Sequence, residues 1–356
     1  MFKAYRYWVA VIGLAALAAC TDRPPSAALS AAPIAVQASP IASPPEAPAP
    51  DSARFAANPA SFAEWLAAFR TEAEGHGFKP ETLAALDALQ PIQRIIDLDR
   101  KQPEGVATLN DYLASHVTPR RIAQGRETLA RDGALLSRVA QRYGVPPRII
   151  LAVIGLETDY GRQSGGFSVL SALSTLAYDG RRPAYFRKEL IHALEIIDAG
   201  DIDSQAMRGS WAGAMGQVQF MPSNYLKYAV DFEGAGRRDI WTNKADVYGS
   251  IAHYLAENGW HGDDGWGREV ALPDGFDTSL AGMENLRSLG AWRKLGIKSI
   301  DGKALPRTAQ LAALILPPRG DGRSFLVHDN YRAIRTYNPS HFYALAVAQL
   351  ADAIGK

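Results

Sequence analysis

Residues 149–156 carry no polar side chain, so a helix drawn through them is apolar on every face. Such a helix needs partners on all sides, which commits the chain to a largely helical body wrapped around it. Its limits are legible. Val145-Pro146-Pro147 precedes the run, and proline suits the first position of a helix. Glu157 ends it, the first charged residue after Arg148.

Other segments supply the wrapping. Ser61-Phe62-Ala63-Glu64 has the form of a capping box, and Phe62, Leu66 and Phe69 recur at helical spacing. Lys79-Pro80-Glu81-Thr82-Leu83 opens a second helix. A long amphipathic helix is predicted over 120–143, stopped by Gly144. Further helices are predicted over 182–198, over 246–258 up to Gly259, and over 341–354. Residues 266–327 are richer in Gly, Pro and short alternating stretches, and read as a small β-containing insertion. The expected class is α+β, mainly helical, with an N-terminal helical region and no internal repeat.

The start of the chain reads differently. Lys3 and Arg6 precede an apolar run over 8–19, shorter than the roughly 20 residues a spanning helix needs. The pattern is that of a secretory signal segment. It ends in Leu17-Ala18-Ala19-Cys20, which resembles a bacterial lipobox, where cleavage precedes a cysteine that is then lipidated. Cys20 is the sole cysteine among 356 residues, so no intrachain disulfide is available. Thr21, where sorting to the inner membrane would favour Asp, points to the outer membrane. Residues 20–53 are Pro, Ala and Ser with few large side chains, a composition that cannot offset its ordering entropy. They read as a tether between an acylated Cys20 in the lipid membrane and a folded part over 54–356. The precursor carries a net charge of +1, and losing Lys3 and Arg6 leaves the mature chain near −1. No basic block stands out, which argues against a nucleic-acid partner.

The chemistry centres on Glu157. A carboxyl at the end of a buried helix is desolvated, which raises its pKa and keeps it protonated as a general acid requires. A helix-end glutamate in a structural ion pair is the plain alternative. Asp159, two residues on, points to a different face and is a candidate second carboxylate. About fifty residues later comes Ser210-Trp211-Ala212-Gly213-Ala214-Met215-Gly216-Gln217-Val218-Gln219-Phe220-Met221-Pro222-Ser223, poor in charge. Gly213 and Gly216 allow close approach or positive φ. Gln219 offers a donor and an acceptor to hydroxyl and acetamido groups. Trp211, Phe220 and Tyr225 offer apolar faces that sugar rings could cover. The same segment could equally be a tight packing loop.

Taken in order, the motifs resemble the membrane-bound lytic murein transglycosylase B family. They are Glu157-Thr158-Asp159-Tyr160-Gly161, the 210–223 segment, Arg238-Asp239-Ile240-Trp241, Ala245-Asp246, Ser250-Ile251-Ala252, Tyr254-Leu255 and Gly259-Trp260. Asp329-Asn330-Tyr331, Tyr337-Asn338-Pro339-Ser340 and Tyr343-Ala344 follow near the end. The likeness spans about 60–350. It implies a lysozyme-like core and a lytic transglycosylase catalytic domain over 54–356. It implies cleavage of the MurNAc–GlcNAc β-1,4 bond of peptidoglycan glycan strands without water, giving 1,6-anhydro-MurNAc ends. Glu157 would be the sole acid/base, with assistance from the substrate N-acetyl group. Ser210, Gln219, Tyr254, Asn338 and Tyr343 match positions that bind sugar or orient the acid, and Tyr185 is a further match. His341 reads as structural. The expected location is the periplasmic face of the outer membrane.

No cofactor is expected. Residues 231–242 resemble an EF-hand-like calcium loop found in some members, with Gly236 at the sixth position. Ala235 at the fifth cannot ligate, and the twelfth is Thr242, so no metal is expected. Two other functions remain open: a hydrolytic muramidase on the same fold, which usually needs a second carboxylate, and a non-catalytic peptidoglycan-binding lipoprotein.

Overall fold

The computed structural model describes residues 61–101, 107–262 and 264–356. The secretory segment, Cys20 and the tether lie outside the described residues. Four helices open the described part: α1 (Phe62–Gly75), α2 (Pro80–Ala84), α3 (Gln93–Arg100) and α4 (Leu109–His116). The central body follows with α5 (Pro119–Tyr143), α6 (Pro147–Thr158), β1 (Phe167–Ser168), α7 (Val169–Asp179), α8 (Pro183–Asp198), β2 (Arg208–Gly209), α9 (Pro222–Tyr228) and α10 (Lys244–Glu257). Then come β3 (Gly267–Ala271), β4 (Leu286–Ser288), α11 (Leu289–Lys294), β5 (Lys298–Ser299), β6 (Leu311–Ile315) and β7 (Ser324–Val327), before α12 (Asp329–Tyr337) and α13 (His341–Ile354). The expected α+β, mainly helical class is what forms.

Local chemistry sets most of these limits. Ser61 and Glu64 make the reciprocal capping box at the start of α1. Thr118 caps α5 with Pro119 at its first turn, and Gly144 ends it in the left-handed region at φ 70°. Asn243 accepts from the Ala245 amide and starts α10 slightly ahead of the predicted residue 246. A second capping box, Thr108 with Asp111, opens α4, a helix that periodicity did not reveal.

The all-apolar helix lies where its composition demands. Residues 149–156 of α6 are all buried, and α5, α10 and α13 pack around them. Each fully buried aliphatic side chain there contributes about 1.5–3 kcal/mol. The insertion is an antiparallel sheet of order β4-β6-β7-β3-β5. Alternation divides its two faces. Ala313, Ile315, Phe325 and Val327 join the main core, while Val270, Ala312, Leu314 and Leu326 pack with Leu289 and Trp292 in a small second core. A short pairing, Phe167 with Gly209 and Ser168 with Arg208, brings the loop after α6 against the loop that begins at Ser210.

Candidate active site

Glu157 stands in the last turn of α6, partly open to solvent. Its Oε1 accepts a hydrogen bond from the Tyr343 hydroxyl at 2.6 Å. Burial pushes the Glu157 carboxyl up to about 7, against the opposing pull of that hydrogen bond. Among the described residues no second carboxylate contributes to its titration. Tyr343 is set in place because the Ser340 hydroxyl caps α13, accepting from the Phe342 and Tyr343 amides. Burial raises the Tyr343 hydroxyl well above its ordinary value, so it remains a donor.

Three consecutive residues tie the 210–223 segment to the elements around Glu157. The Gln217 carbonyl accepts from the Thr158 hydroxyl at 3.0 Å. The Val218 carbonyl accepts from Tyr337 at the end of α12. Gln219 donates to the Ser164 carbonyl at 3.2 Å and to the Gly216 carbonyl at 2.9 Å. Gly213 and Gly216 hold φ of 85° and 62°, as expected, and a Cβ at either would strike Leu173 or Ile240.

The other predicted site residues are placed unevenly. Ser210 is buried, and its hydroxyl accepts from the Ala214 amide, which shapes the loop. Asn338 is buried and accepts from the Ser340 amide, supporting the cap that places Tyr343. Tyr254 lies against Phe220 of the 210–223 segment, its hydroxyl donated to the Thr336 carbonyl and its ring 4.7 Å from that of Tyr337. Tyr185 stands at the start of α8 with the Arg182 guanidinium 4.8 Å from its ring. Trp211 keeps part of its surface exposed. Phe220 and Tyr225 correct the sequence reading: both are in the core, at 1% and 0% exposure, and offer no face to a sugar. Their apolar rings served packing, which a charge-poor loop cannot distinguish from binding.

Asp159 is structural. It sits in the left-handed region with its carboxylate held by Arg162 at 2.7 Å and Arg120 at 3.1 Å. His341 is structural as expected, its Nδ1 2.9 Å from the Tyr331 hydroxyl and its pKa lowered to about 4 by burial. Two supporting residues were not singled out as site residues, Tyr337 having appeared only within a motif. Tyr337, half-buried, donates to the Val218 carbonyl, and burial first, then the charge of Glu157, raises its hydroxyl well above the ordinary value. Glu189, buried in α8, accepts from the Ser223 amide and hydroxyl at 2.9 and 2.7 Å and anchors α9. A glutamate in a mid-helix position looks like a solvated one until its neighbours are known.

In the 231–242 loop several oxygens that a cation would need are already engaged. Glu233 pairs with Arg138, and the Thr242 hydroxyl is donated to Asp239. Both oxygens of Asp246 accept backbone amides, from Phe232 and Asp239. Among the described residues no three His, Cys, Asp or Glu side chains come together as a metal site. Ligand stabilisation grows as RT ln(1 + [L]/Kd), so millimolar calcium is expected to move the thermal midpoint by no more than about 1 °C. An upward shift of several degrees that Asp231→Ala removes would show a working site.

Comparison with known proteins gives a consistent result. Residues 61–352 match the transglycosylase SLT domain family. Membrane-bound lytic murein transglycosylase B of Escherichia coli (strain K12) is 34% identical over 297 residues, covering 78% of this chain and 79% of the relative. The crystal structure of SltB3 from Pseudomonas aeruginosa in complex with NAG-anhNAM-pentapeptide is similar at TM-score 0.80 and 41% identity, over 83% of this chain and 80% of that one. The Escherichia coli lytic transglycosylase Slt35, solved in complex with calcium, matches at TM-score 0.70 and 32% identity, over 85% and 94%.

Proposed function

Because the chain belongs to the lytic murein transglycosylases of the transglycosylase SLT domain family, we propose that Glu157 is the single acid/base with which it cuts peptidoglycan. The enzyme is a lytic murein transglycosylase with a lysozyme-like core. The observation that carries the assignment is the Glu157 carboxyl itself: at a buried helix end, hydrogen-bonded by Tyr343, and pushed up to about 7. A group so poised holds a proton near neutrality and can take one back.

In this reading protonated Glu157 donates to the glycosidic oxygen between MurNAc and GlcNAc. The C1–O bond breaks through an oxocarbenium-like state assisted by the N-acetyl group. The resulting carboxylate takes the proton of the MurNAc C6 hydroxyl, whose oxygen closes on C1. The acid is regenerated, no water is consumed, and a 1,6-anhydro end is left. Tyr343 orients the carboxyl and favours its ionised form for the second step. Ser210, Gln219, Tyr254, Asn338 and Tyr185 build or back the groove. Mass spectrometry of digested sacculi tests this directly. Anhydro ends are expected, reducing ends would mean a hydrolytic muramidase, and intact glycan would mean a binding protein. The rate is expected to fall as pH rises through about 7, where the donated proton is lost.

The same reading extends to the first residues. Residues 1–19 are a lipoprotein signal, Cys20 is acylated, and 20–53 tether the catalytic domain over 54–356 to the periplasmic face of the outer membrane. The motif ending at Cys20 supports this, as does a relative named as membrane-bound. Cys20→Ala is expected to leave unprocessed or mislocalised protein on membrane fractionation. Normal processing and membrane recovery of that variant would refute the anchor.

A further inference from the structure

Tyr160, three residues past Glu157, holds a backbone conformation that a large side chain rarely adopts. Its φ is 61°, between Asp159 at 51° and Gly161 at 84°. These three left-handed residues end α6 abruptly, with the Tyr160 amide donated back to the Ile154 carbonyl at 3.2 Å. Side chains persist in that region only where the surroundings hold them.

Its own side chain supplies the hold. It folds back across α6 to α5, where the hydroxyl donates to the Arg121 carbonyl at 2.8 Å. Two glycines inside helices make the room. A Cβ at Gly155 would lie 2.8 Å from the Tyr160 Cζ, and one at Gly125 would lie 2.6 Å from its hydroxyl oxygen and 2.5 Å from the Ile354 Cδ1. Glycine weakens a helix relative to alanine, and both of these glycines stand against one tyrosine. Gly155 precedes Glu157 by two positions, about 200° around the helix. Tyr160 therefore bears on the back of the turn whose front carries the acid.

Resting on the assignment of Glu157 above, we infer that Tyr160 is a positioning residue, a peg between α5 and α6 that fixes the last turn of α6 and with it the Glu157 carboxyl. The last turn of a helix has carbonyls without intrahelical partners and tends to fray. A single carboxyl that must give a proton at one oxygen and take one at another tolerates little of that motion. A displacement of about 1 Å can lower a rate by about 10²-fold.

The test is steady-state kinetics on a soluble glycan oligomer, normalised to folded protein well below the thermal midpoint. Tyr160→Leu removes most of the peg, and Tyr160→Phe removes only its donor. Tyr160→Leu is expected to lower kcat by about tenfold or more with KM changed by less than about twofold. It is also expected to move the alkaline limb of the pH profile downward, as water reaches the loosened carboxyl. Tyr160→Phe shifts both in the same direction by less. Gly155→Ala, which crowds the ring, lowers kcat in the native background and adds nothing to Tyr160→Leu. Variants that melt earlier yet keep native kcat and the native alkaline limb would overturn the inference. Glu157→Gln in the same assay separates the two readings. If it is inactive while both Tyr160 variants turn over normally, only the peg fails. If it is active, the acid is misassigned and the peg inference falls with it.

Discussion

Glu157→Gln is expected to lower turnover by about 10²–10⁴-fold, the range over which general acid/base groups act, because one carboxyl serves both proton transfers. The substituted amide keeps the shape and can still accept from the Tyr343 hydroxyl, so the packing around it stays formed. The same substitution has a second signature. The carboxyl titrates near 7 in the fold against 4.5 as its ordinary value, so the fold favours its neutral form. Below about pH 4.5 both states are protonated and nothing is lost. Between about pH 4.5 and 7 the unfolded chain ionises this group while the fold still resists, so stability falls across that window and levels off above 7. Each pKa unit is worth about 1.4 kcal/mol, and solvent on the open side of the residue reduces the effect to ~2 kcal/mol. The Gln variant is therefore expected to melt higher than the native protein at pH 8 and alike at pH 4. More than about a tenth of native activity would remove Glu157 from the mechanism.

Asp159→Ala is expected to have the largest effect on stability. The Asp159 side chain is 9% exposed and serves Arg162 at 2.7 Å, Arg120 at 3.1 Å and Arg121 at 3.7 Å. Arg121 is itself 16% exposed, and its Nε has no hydrogen-bond partner. Removing the carboxylate leaves that cation under-compensated, a loss of about 3–5 kcal/mol for a broken buried pair. Alanine also tolerates the left-handed backbone less well than aspartate. For a domain of this size the thermal midpoint should drop by roughly 10 °C. Asp159→Asn, which accepts the same backbone and keeps hydrogen-bonding capacity, should lose less. A midpoint within about 2 °C of the native protein for the alanine variant would mean that solvent already screens the cluster.

What could be read along the chain was whatever acts within a few residues. Proline at a first turn, a Ser or Thr cap, a glycine at positive φ and an apolar run are local devices. They placed α1, α5, α6 and α13, the β-containing insertion and Glu157 at the end of a buried helix. They also marked Gly213 and Gly216 as positions needing glycine, because backbone sterics do not depend on distant partners.

The tertiary structure alone decided which side chains meet. Tyr343 reaches Glu157 across 186 residues of sequence. The raised pKa of Glu157 is a desolvation effect, produced by elements that no local pattern joins. Packing likewise turned Phe220 and Tyr225 inward, set Glu189 under α9 and spent Asp159 on three arginines. Burial belongs to a residue's neighbours in space, so the sequence determined Glu157 and the helix that bears it, while the fold determined the environment that raises its pKa.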